Sequence, residues 1–278
     1  MAAPDSFGDL VAVGRTSDVY EYGDDAVIKV TRPTVPEHWP AREARYTAAV
    51  RELGAPAPRV HGIVQVEGRD AVVFERVRGP SMWEALVDDP SRAADFGHQL
   101  ASIHQQILRA GLPLGLVGIV DRMETKIGEV QSFRPSERTE AVRAVGELPR
   151  GAALLHGDLH PGNVLMSPSG PAVIDWFDAA VGHPVADVVR SSLLIRPFDR
   201  AVDRPHMPGA SAEMLSELHD AYVGAMASFL MPAADDLRMW EAVVAASRLA
   251  EEAETDESPL LAMWRQRGWR GDTVLLPG

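Results

Sequence analysis

Residues 156–175, His-Gly-Asp-Leu-His-Pro-Gly-Asn-Val-Leu-Met-Ser-Pro-Ser-Gly-Pro-Ala-Val-Ile-Asp, constrain this chain more than any other stretch. Two short apolar runs, Val164-Leu165-Met166 and Ala172-Val173-Ile174, flank Ser167-Pro168-Ser169-Gly170, which is turn chemistry. The pattern predicts a β-hairpin. Asn163 precedes its first strand and Asp175 follows its second, so antiparallel pairing brings the two side chains to one end. A carboxamide oxygen beside a carboxylate suits Mg²⁺, a hard cation that takes few protein ligands and completes its shell with phosphate oxygens and water. Asp158, on the loop just upstream, is then left to accept a proton from an attacking hydroxyl. Base, metal amide and metal carboxylate, in that order, are the parts phosphoryl transfer needs. His-Gly-Asp alone carries little, because Gly-Asp is an ordinary turn, and Asp175 alone reads equally well as a helix cap. The weight lies in the spacing of all three residues with a hairpin between the last two.

The same segment resembles the aminoglycoside phosphotransferase and choline kinase-like family. That family's catalytic loop reads His-Gly-Asp followed by Asn, and its metal motif reads Ile-Asp-Trp or Ile-Asp-Phe. Here they stand as His156-Gly157-Asp158 with Asn163, and as Ile174-Asp175-Trp176. The resemblance implies an α+β, bilobal protein-kinase-like fold. A small β-rich N-lobe with one helix would span residues 1–76, and a larger, mostly helical C-lobe residues 77–278. It implies ATP or GTP as co-substrate with Mg²⁺, Asp158 as the catalytic residue, and Asn163 and Asp175 as metal ligands. Gly182-His183-Pro184-Val185-Ala186-Asp187 resembles the family's Gly-Asp-Pro segment followed by an Asp. His183 stands in place of the first Asp, whereas Asp187 matches the later one, which supports the catalytic loop rather than reacting. The likeness is tight over residues 153–195, looser over 8–110, and uninformative after about 200.

Only two lysines occur in the chain, Lys29 and Lys126. Lys29 sits in the alternating run Ala26-Val27-Ile28-Lys29-Val30 and reads by itself as a solvent-facing strand lysine; the resemblance implies instead the lysine that contacts the nucleotide α/β-phosphates. Residues 10–14 and 18–22 read as strands joined by Arg15-Thr16-Ser17. Residues 14–18 would form the phosphate-covering loop, with backbone N–H groups and the Thr16 and Ser17 hydroxyls as phosphate donors. No Gly-x-x-x-x-Gly-Lys-Ser/Thr motif is present, which excludes a P-loop enzyme. Residues 40–53 have helical spacing. Glu43 lies in the first turn, where a carboxylate is favoured by the helix dipole. Arg42-Glu43-Ala44 resembles the family's Arg-Glu-Ala, which pairs Glu43 with Lys29; Glu37 and Glu52 are the competitors. A second strand pair covers 59–66 and 70–77, and Phe74-Glu75-Arg76-Val77 reads as the hinge whose backbone holds the nucleotide base.

Helical patterns follow at 82–87 and 92–110, with Phe96, Leu100, Ile103 and Ile107 on one face, and His104 reads as structural. Residues 111–120 read as a loop, 121–131 and 136–148 as weak helices, and 211–230 and 233–254 as Ala-rich helices. The chain has 278 residues and no cysteine, enough length for two cores and no disulfide framework or thiolate chemistry. A net charge of −13 argues against a nucleic-acid partner. No apolar run approaches the ~20 residues of a membrane span and no signal peptide is apparent, so a cytoplasmic enzyme is expected.

Between Asp175 and Asp187 there is no room for a peptide-docking activation loop, which points to a small-molecule hydroxyl acceptor. Asp178 and the run Glu251-Glu252-Ala253-Glu254-Thr255-Asp256-Glu257 are candidate acceptor-binding carboxylates, with Glu251, Glu252 and Glu254 foremost. A solvated helix end is the simpler account of that run. A cationic antibiotic, such as an aminoglycoside or basic cyclic peptide, is the leading acceptor. A metabolite kinase acting on an amino alcohol, amino acid or sugar is the alternative, and a nucleotide-binding pseudokinase a more distant one.

Overall fold

The computed structural model describes residues 7–197, 208–251 and 257–266. Its N-terminal sheet holds five antiparallel strands in the order β1-β2-β3-β5-β4. They are β1 (Leu10–Val13), β2 (Ser17–Glu21), β3 (Ala26–Thr31), β4 (Val60–Val66) and β5 (Arg69–Glu75). Helix α1 (Trp39–Glu52) connects β3 to β4 and carries Pro40 in its first turn, where the missing N–H costs nothing. The period-2 pattern sorts the two faces. Ile28, Ala71 and Val73 pack with Tyr22 and Val64 on one face. Val72 and Phe74 meet Ala44 of α1 on the other. Lys29 pairs with Val72 and Val19 across the ladders, which puts it on the face that α1 covers.

Beyond the sheet the chain is mostly helical. Helices α2 (Met82–Asp88) and α3 (Ala93–Arg109) lead to the two-residue strand β6 (Val117–Gly118), then to α4 (Ile119–Glu129) and α5 (Pro135–Glu147). Strands β7 (Ala153–Leu155), β8 (Val164–Ser167), β9 (Gly170–Val173) and β10 (Ala180–Gly182) follow. Helices α6 (Pro184–Ile195), α7 (Ala212–Leu230), α8 (Ala234–Arg248) and α9 (Glu257–Arg265) complete the described elements. Helix α2 opens on a capping box, Ser81 with Glu84. The expected apolar stripe of α3, Phe96 to Ile107, is buried, and α3 lies close against α7. Gly97 permits that approach, since a Cβ there would fall 2.4 Å from the Leu218 carbonyl oxygen. The large core holds Trp176, Trp240 and Trp264, all fully buried, and each such ring contributes more than the ~1.5–3 kcal/mol typical of a buried aliphatic side chain.

Several expected boundaries move. Strand β5 ends at Glu75, so Arg76 and Val77 lie past the strand. Within the expected loop 111–120, Val117 and Gly118 pair with β10, and β6-β10-β7 form a small sheet. The helix expected over 233–254 ends at Arg248, with a turn through Glu251. Glu252 and Glu254 lie outside the described residues. Among the described residues, no helix is long and apolar enough to cross a membrane.

Candidate active site

The hairpin β8–β9 forms in the register its alternation requires, with Val164 opposite Val173 and Ser167 opposite Gly170. Its open end is closed by the Ile174 N–H, which donates to the Asn163 carbonyl at 2.9 Å. Asp175 is therefore one residue from a direct backbone bond to Asn163. Asp175 adopts the left-handed backbone, φ 63° and ψ 58°, although it is not glycine. Such a conformation costs of order 1–3 kcal/mol and persists where the surroundings dictate it. Here it ends the strand and starts the single turn Trp176–Asp178.

Asp158 lies on the loop between β7 and β8. Gly157 before it has φ 82°, and a Cβ at this position would sit 2.1 Å from the Asp178 carbonyl oxygen. Only glycine satisfies both conditions. Asp187, at the start of α6, accepts the N–H of His156 at 2.7 Å and of Gly157 at 2.8 Å. His104 on α3 meets the same carboxylate at 3.1 Å and Tyr222 of α7 at 2.7 Å, as its structural reading expected. His156 is tied at both ring nitrogens. Nδ1 accepts the Asp158 N–H at 3.1 Å, and Nε2–H donates to the Ile174 carbonyl at 3.0 Å. That pattern defines the neutral tautomer, and burial holds the imidazole pKa below its usual value. His156 thus joins the Asp158 loop to the Asp175 strand.

From the N-terminal sheet, Lys29 Nζ reaches Glu43 at 2.7 Å and Asp175 at 3.3 Å. Burial opposes the lysine's charge, but Asp175 and Glu43 outweigh it and raise the pKa well above the usual lysine range. Glu37 and Glu52 are not the partners. Asn163 Nδ2 donates to the Asp158 carbonyl at 2.9 Å, which leaves the amide oxygen as a donor to a cation. The Asp175 side chain is 42% exposed. One amide oxygen and one accessible carboxylate fit Mg²⁺, whose remaining positions phosphate and water would fill. Among the described residues there is no cluster of three or more His, Cys, Asp or Glu that could hold a metal without such help.

The other expected residues are placed as follows. Thr16 is partly exposed, whereas Ser17 is 4% exposed at the start of β2, so Thr16 is the more open hydroxyl. In the hinge, Phe74 is buried in β5, the Glu75 N–H donates to the Arg59 carbonyl and the Arg76 N–H to the Asp25 carbonyl. Val77 is the hinge residue whose N–H those bonds leave over. The Arg76 side chain pairs with Glu21 at 2.5 Å.

Two acceptor-binding expectations need correction. Glu251 is not an open ammonium receptor, because it pairs with Lys126 and, at 2.8 Å, with Arg190. Burial would raise its pKa, but Arg190 and Lys126 outweigh burial and lower it. Asp178 is also engaged, with its carboxylate 3.6 Å from Arg122 and its carbonyl accepting from the same guanidinium.

Arg190 was not foreseen from sequence. It stands three residues after Asp187 on α6, and i,i+3 neighbours share a helix face, so a buried Asp187 under the catalytic loop already implied an arginine aimed the same way. Its Nη2 lies 3.1 Å from Asp158 Oδ1. His160 Nε2 approaches Asp158 Oδ2 at 3.9 Å. Burial would raise the Asp158 pKa, yet the Arg190 guanidinium beside it holds it well below the usual carboxylate range. Arg122 and Lys126 were likewise readable as an i,i+4 pair on one helix.

A family model described as a phosphotransferase enzyme family matches residues 9–205. The RIO-type serine/threonine-protein kinase Rio1 of Haloferax volcanii is 27% identical over 188 residues, or 66% of this chain, and the match spans only 59% of that relative's length. A thermostable mutant of aminoglycoside phosphotransferase APH(4)-Ia, solved with AMP-PNP and hygromycin B, superposes with a TM-score of 0.63 at 16% identity, covering 94% of this chain and 92% of that one. A choline/ethanolamine kinase family protein from Mesorhizobium loti superposes with a TM-score of 0.50 at 17% identity, covering 95% and 86%. Likeness at these identities establishes the fold, an α+β bilobal protein-kinase-like arrangement.

Proposed function

Because the chain belongs to the phosphotransferase enzyme family, we propose that it is a small-molecule O-phosphotransferase that moves the γ-phosphoryl group of ATP or GTP to a hydroxyl. The observation that carries this reading is Lys29, whose ammonium touches both Glu43 of α1 and Asp175 beyond the hairpin. A nucleotide phosphate lysine, its supporting glutamate and a metal aspartate are thereby held together although far apart in sequence.

In this reading residues 1–76 form the nucleotide lobe and 77–278 the lobe that carries the acceptor. Lys29 contacts the α/β-phosphates, Glu43 holds Lys29, Thr16 covers the phosphates and the hinge at Val77 meets the base. Asn163 and Asp175 hold Mg²⁺, which when bound offsets phosphate charge. Asp158 orients the acceptor hydroxyl and takes its proton as the new O–P bond forms and the bond to the departing nucleoside diphosphate breaks. Arg190 keeps Asp158 ionised for that task. The cationic antibiotic expected from the acidic run loses the support of Glu251, which is already doubly paired. The acceptor class is therefore a small hydroxylated molecule, antibiotic or metabolite, and the retained Lys29, Asp158, Asn163 and Asp175 favour an enzyme over a pseudokinase.

Phosphorus NMR of reactions with MgATP or MgGTP and a panel of hydroxylated antibiotics and metabolites tests this. Phosphorylated product is expected with wild type, and Asp158→Ala should lose ~10²–10⁴ in rate while still binding nucleotide. Protection of a susceptible bacterium by the intact gene, absent with Asp158→Ala, would mark an antibiotic acceptor. Wild-type turnover by Asp158→Ala would overturn the mechanism.

A further inference from the structure

Gly14 is the only glycine of residues 10–22, so the loop joining β1 to β2 lacks the run of glycines that would let it fold freely around a phosphate. Hydrogen bonds hold it instead. The Gly14 N–H donates to the Ser17 carbonyl at 2.8 Å and closes the turn. A Cβ on Gly14 would sit 2.9 Å from that same carbonyl oxygen, which keeps the position glycine. The other bonds come from Arg32, the residue just past the end of β3. Its N–H donates to the Thr16 carbonyl at 2.8 Å. Its Nη2 donates to the Gly14 carbonyl at 2.9 Å and to Asp18 Oδ1 at 3.0 Å. One residue thus grips the loop at its start, at its tip and at the strand that follows.

Arg32 is itself anchored. The Arg69 guanidinium, from the start of β5, donates to the carbonyls of Arg32 and Pro33 at 3.2 Å and of Val35 at 2.7 Å. Asp18 stands opposite Val30, which packs on the sheet face away from α1, so the Arg32–Asp18 pair lies on that outer face. Lys29, three residues before Arg32, faces the other way, toward α1. Arg32 therefore acts on the phosphate side of the sheet only through the loop. With side chains 41% and 29% exposed, the Arg32–Asp18 ion pair adds little to stability. What the bonds fix is loop shape. The carbonyls of Gly14, Thr16 and Ser17 are all taken by the protein's own donors. Among the described residues, the N–H groups of Arg15 and Thr16 make no backbone hydrogen bond. Successive N–H groups left over on a tight turn are what a phosphate oxygen accepts.

We propose that Arg32 is the positioning residue of the phosphate-covering loop, holding Gly14–Ser17 from the outer face in the shape that receives nucleotide phosphates. The proposal rests on the phosphotransferase reading and names a residue that governs its nucleotide site. A loop bonded in advance loses less backbone freedom when the ligand arrives, so the bonds act on affinity for phosphate and not on affinity for the base.

The test separates those two affinities. Isothermal titration follows non-hydrolysable ATP and GTP analogues with Mg²⁺, and adenosine and guanosine, into wild type, Arg32→Met, Arg32→Lys and Asp18→Asn. Arg32→Met should weaken the triphosphate that wild type prefers about tenfold, the worth of ordering roughly one loop residue on binding, and leave the matching nucleoside within about twofold. Arg32→Lys should recover most of the loss, because both side-chain bonds come from one nitrogen and an ammonium also offers several donors. Asp18→Asn, which keeps the Gly14 bond, should fall between. In the free protein, the amides of Gly14 and Arg32 should exchange with deuterium faster in Arg32→Met than in wild type, with α1 unchanged. Wild-type triphosphate affinity in Arg32→Met, or equal weakening of triphosphate and nucleoside, would make Arg32 an ordinary residue of the sheet; the proposal would fall and the phosphotransferase reading would stand. A wild-type protein that binds neither triphosphate would overturn that reading and the proposal with it.

Discussion

The Arg190 guanidinium lies 3.1 Å from Oδ1 of Asp158, so the proposed base is paired before any acceptor arrives. Both side chains are largely shielded, at 11% and 29% exposure, which keeps the pair effective where a fully exposed one would be screened.

The pair sets a pH profile. With its pKa held below the usual carboxylate range, Asp158 should stay ionised above about pH 5, and kcat/KM of wild type should show no acid limb from this group there. Arg190→Met removes the largest opposing influence and leaves burial, which raises the carboxyl's pKa. Activity of that variant should fall from pH 8 to pH 5.5 while that of wild type changes little. Parallel profiles for the two proteins would show that Arg190 does not govern the base.

Lys29 and Glu43 set nucleotide affinity. Glu43→Gln keeps the shape but removes the charge that holds Lys29 at 2.7 Å, leaving Asp175 as its only carboxylate partner. A charge-assisted hydrogen bond of this kind is worth ~1.5–3 kcal/mol, so KM for ATP should rise about tenfold or more with acceptor KM unchanged. Steady-state kinetics against each substrate in turn decides it; an acceptor effect without a nucleotide effect would remove Glu43 from the nucleotide site.

Asn163 and Asp175 predict metal dependence. Nucleotide should raise Tm far more with Mg²⁺ than with EDTA, since a ligand stabilises in proportion to how tightly the folded state binds it. In Asp175→Asn the Mg²⁺ increment should largely vanish and turnover should be lost. Equal shifts with and without the ion would count against both residues as ligands.

What the sequence disclosed and what it hid follow one physical rule. The hairpin β8–β9 was legible because alternation and a four-residue turn encode it locally, and its register Val164–Val173 then places Asn163 opposite Ile174, one residue from Asp175. The buried stripe of α3 was legible by its 3.6-residue period. The sheet β6-β10-β7 was not, because strands of two or three residues carry no periodicity and Val117 pairs with Ala180 from far along the chain. Glu251 misled for a related reason. An acidic run reads as solvated charge unless its partners are known, and Lys126 and Arg190 come from two other helices. The helix expected to reach residue 254 stops at Arg248, with no Gly or Pro in the sequence to announce it.

Asp187 offers the sharpest test of how the catalytic loop is supported. Its buried carboxylate accepts two loop N–H groups and meets His104. Burial alone would raise its pKa, but the hydrogen bonds from His104 and from the Gly157 N–H outweigh burial and lower it. A carboxylate lowered on folding contributes stability that is fully present above its unfolded value, ~3.9, and is lost as pH falls through the folded value. Asp187→Asn turns an NH₂ toward donors and leaves at least one buried group unsatisfied, at a cost of about 3 kcal/mol near pH 7. Urea unfolding at pH 7 and at pH 3.5 should find that difference at the first pH and a smaller one at the second, as the wild type loses its own contribution. A deficit under 1 kcal/mol at pH 7, or one that does not shrink in acid, would mean the loop is held by its packing and not by Asp187. With the deficit confirmed, kcat should also drop in the folded variant, because the N–H groups of His156 and Gly157 that Asp187 fixes lead directly into Asp158.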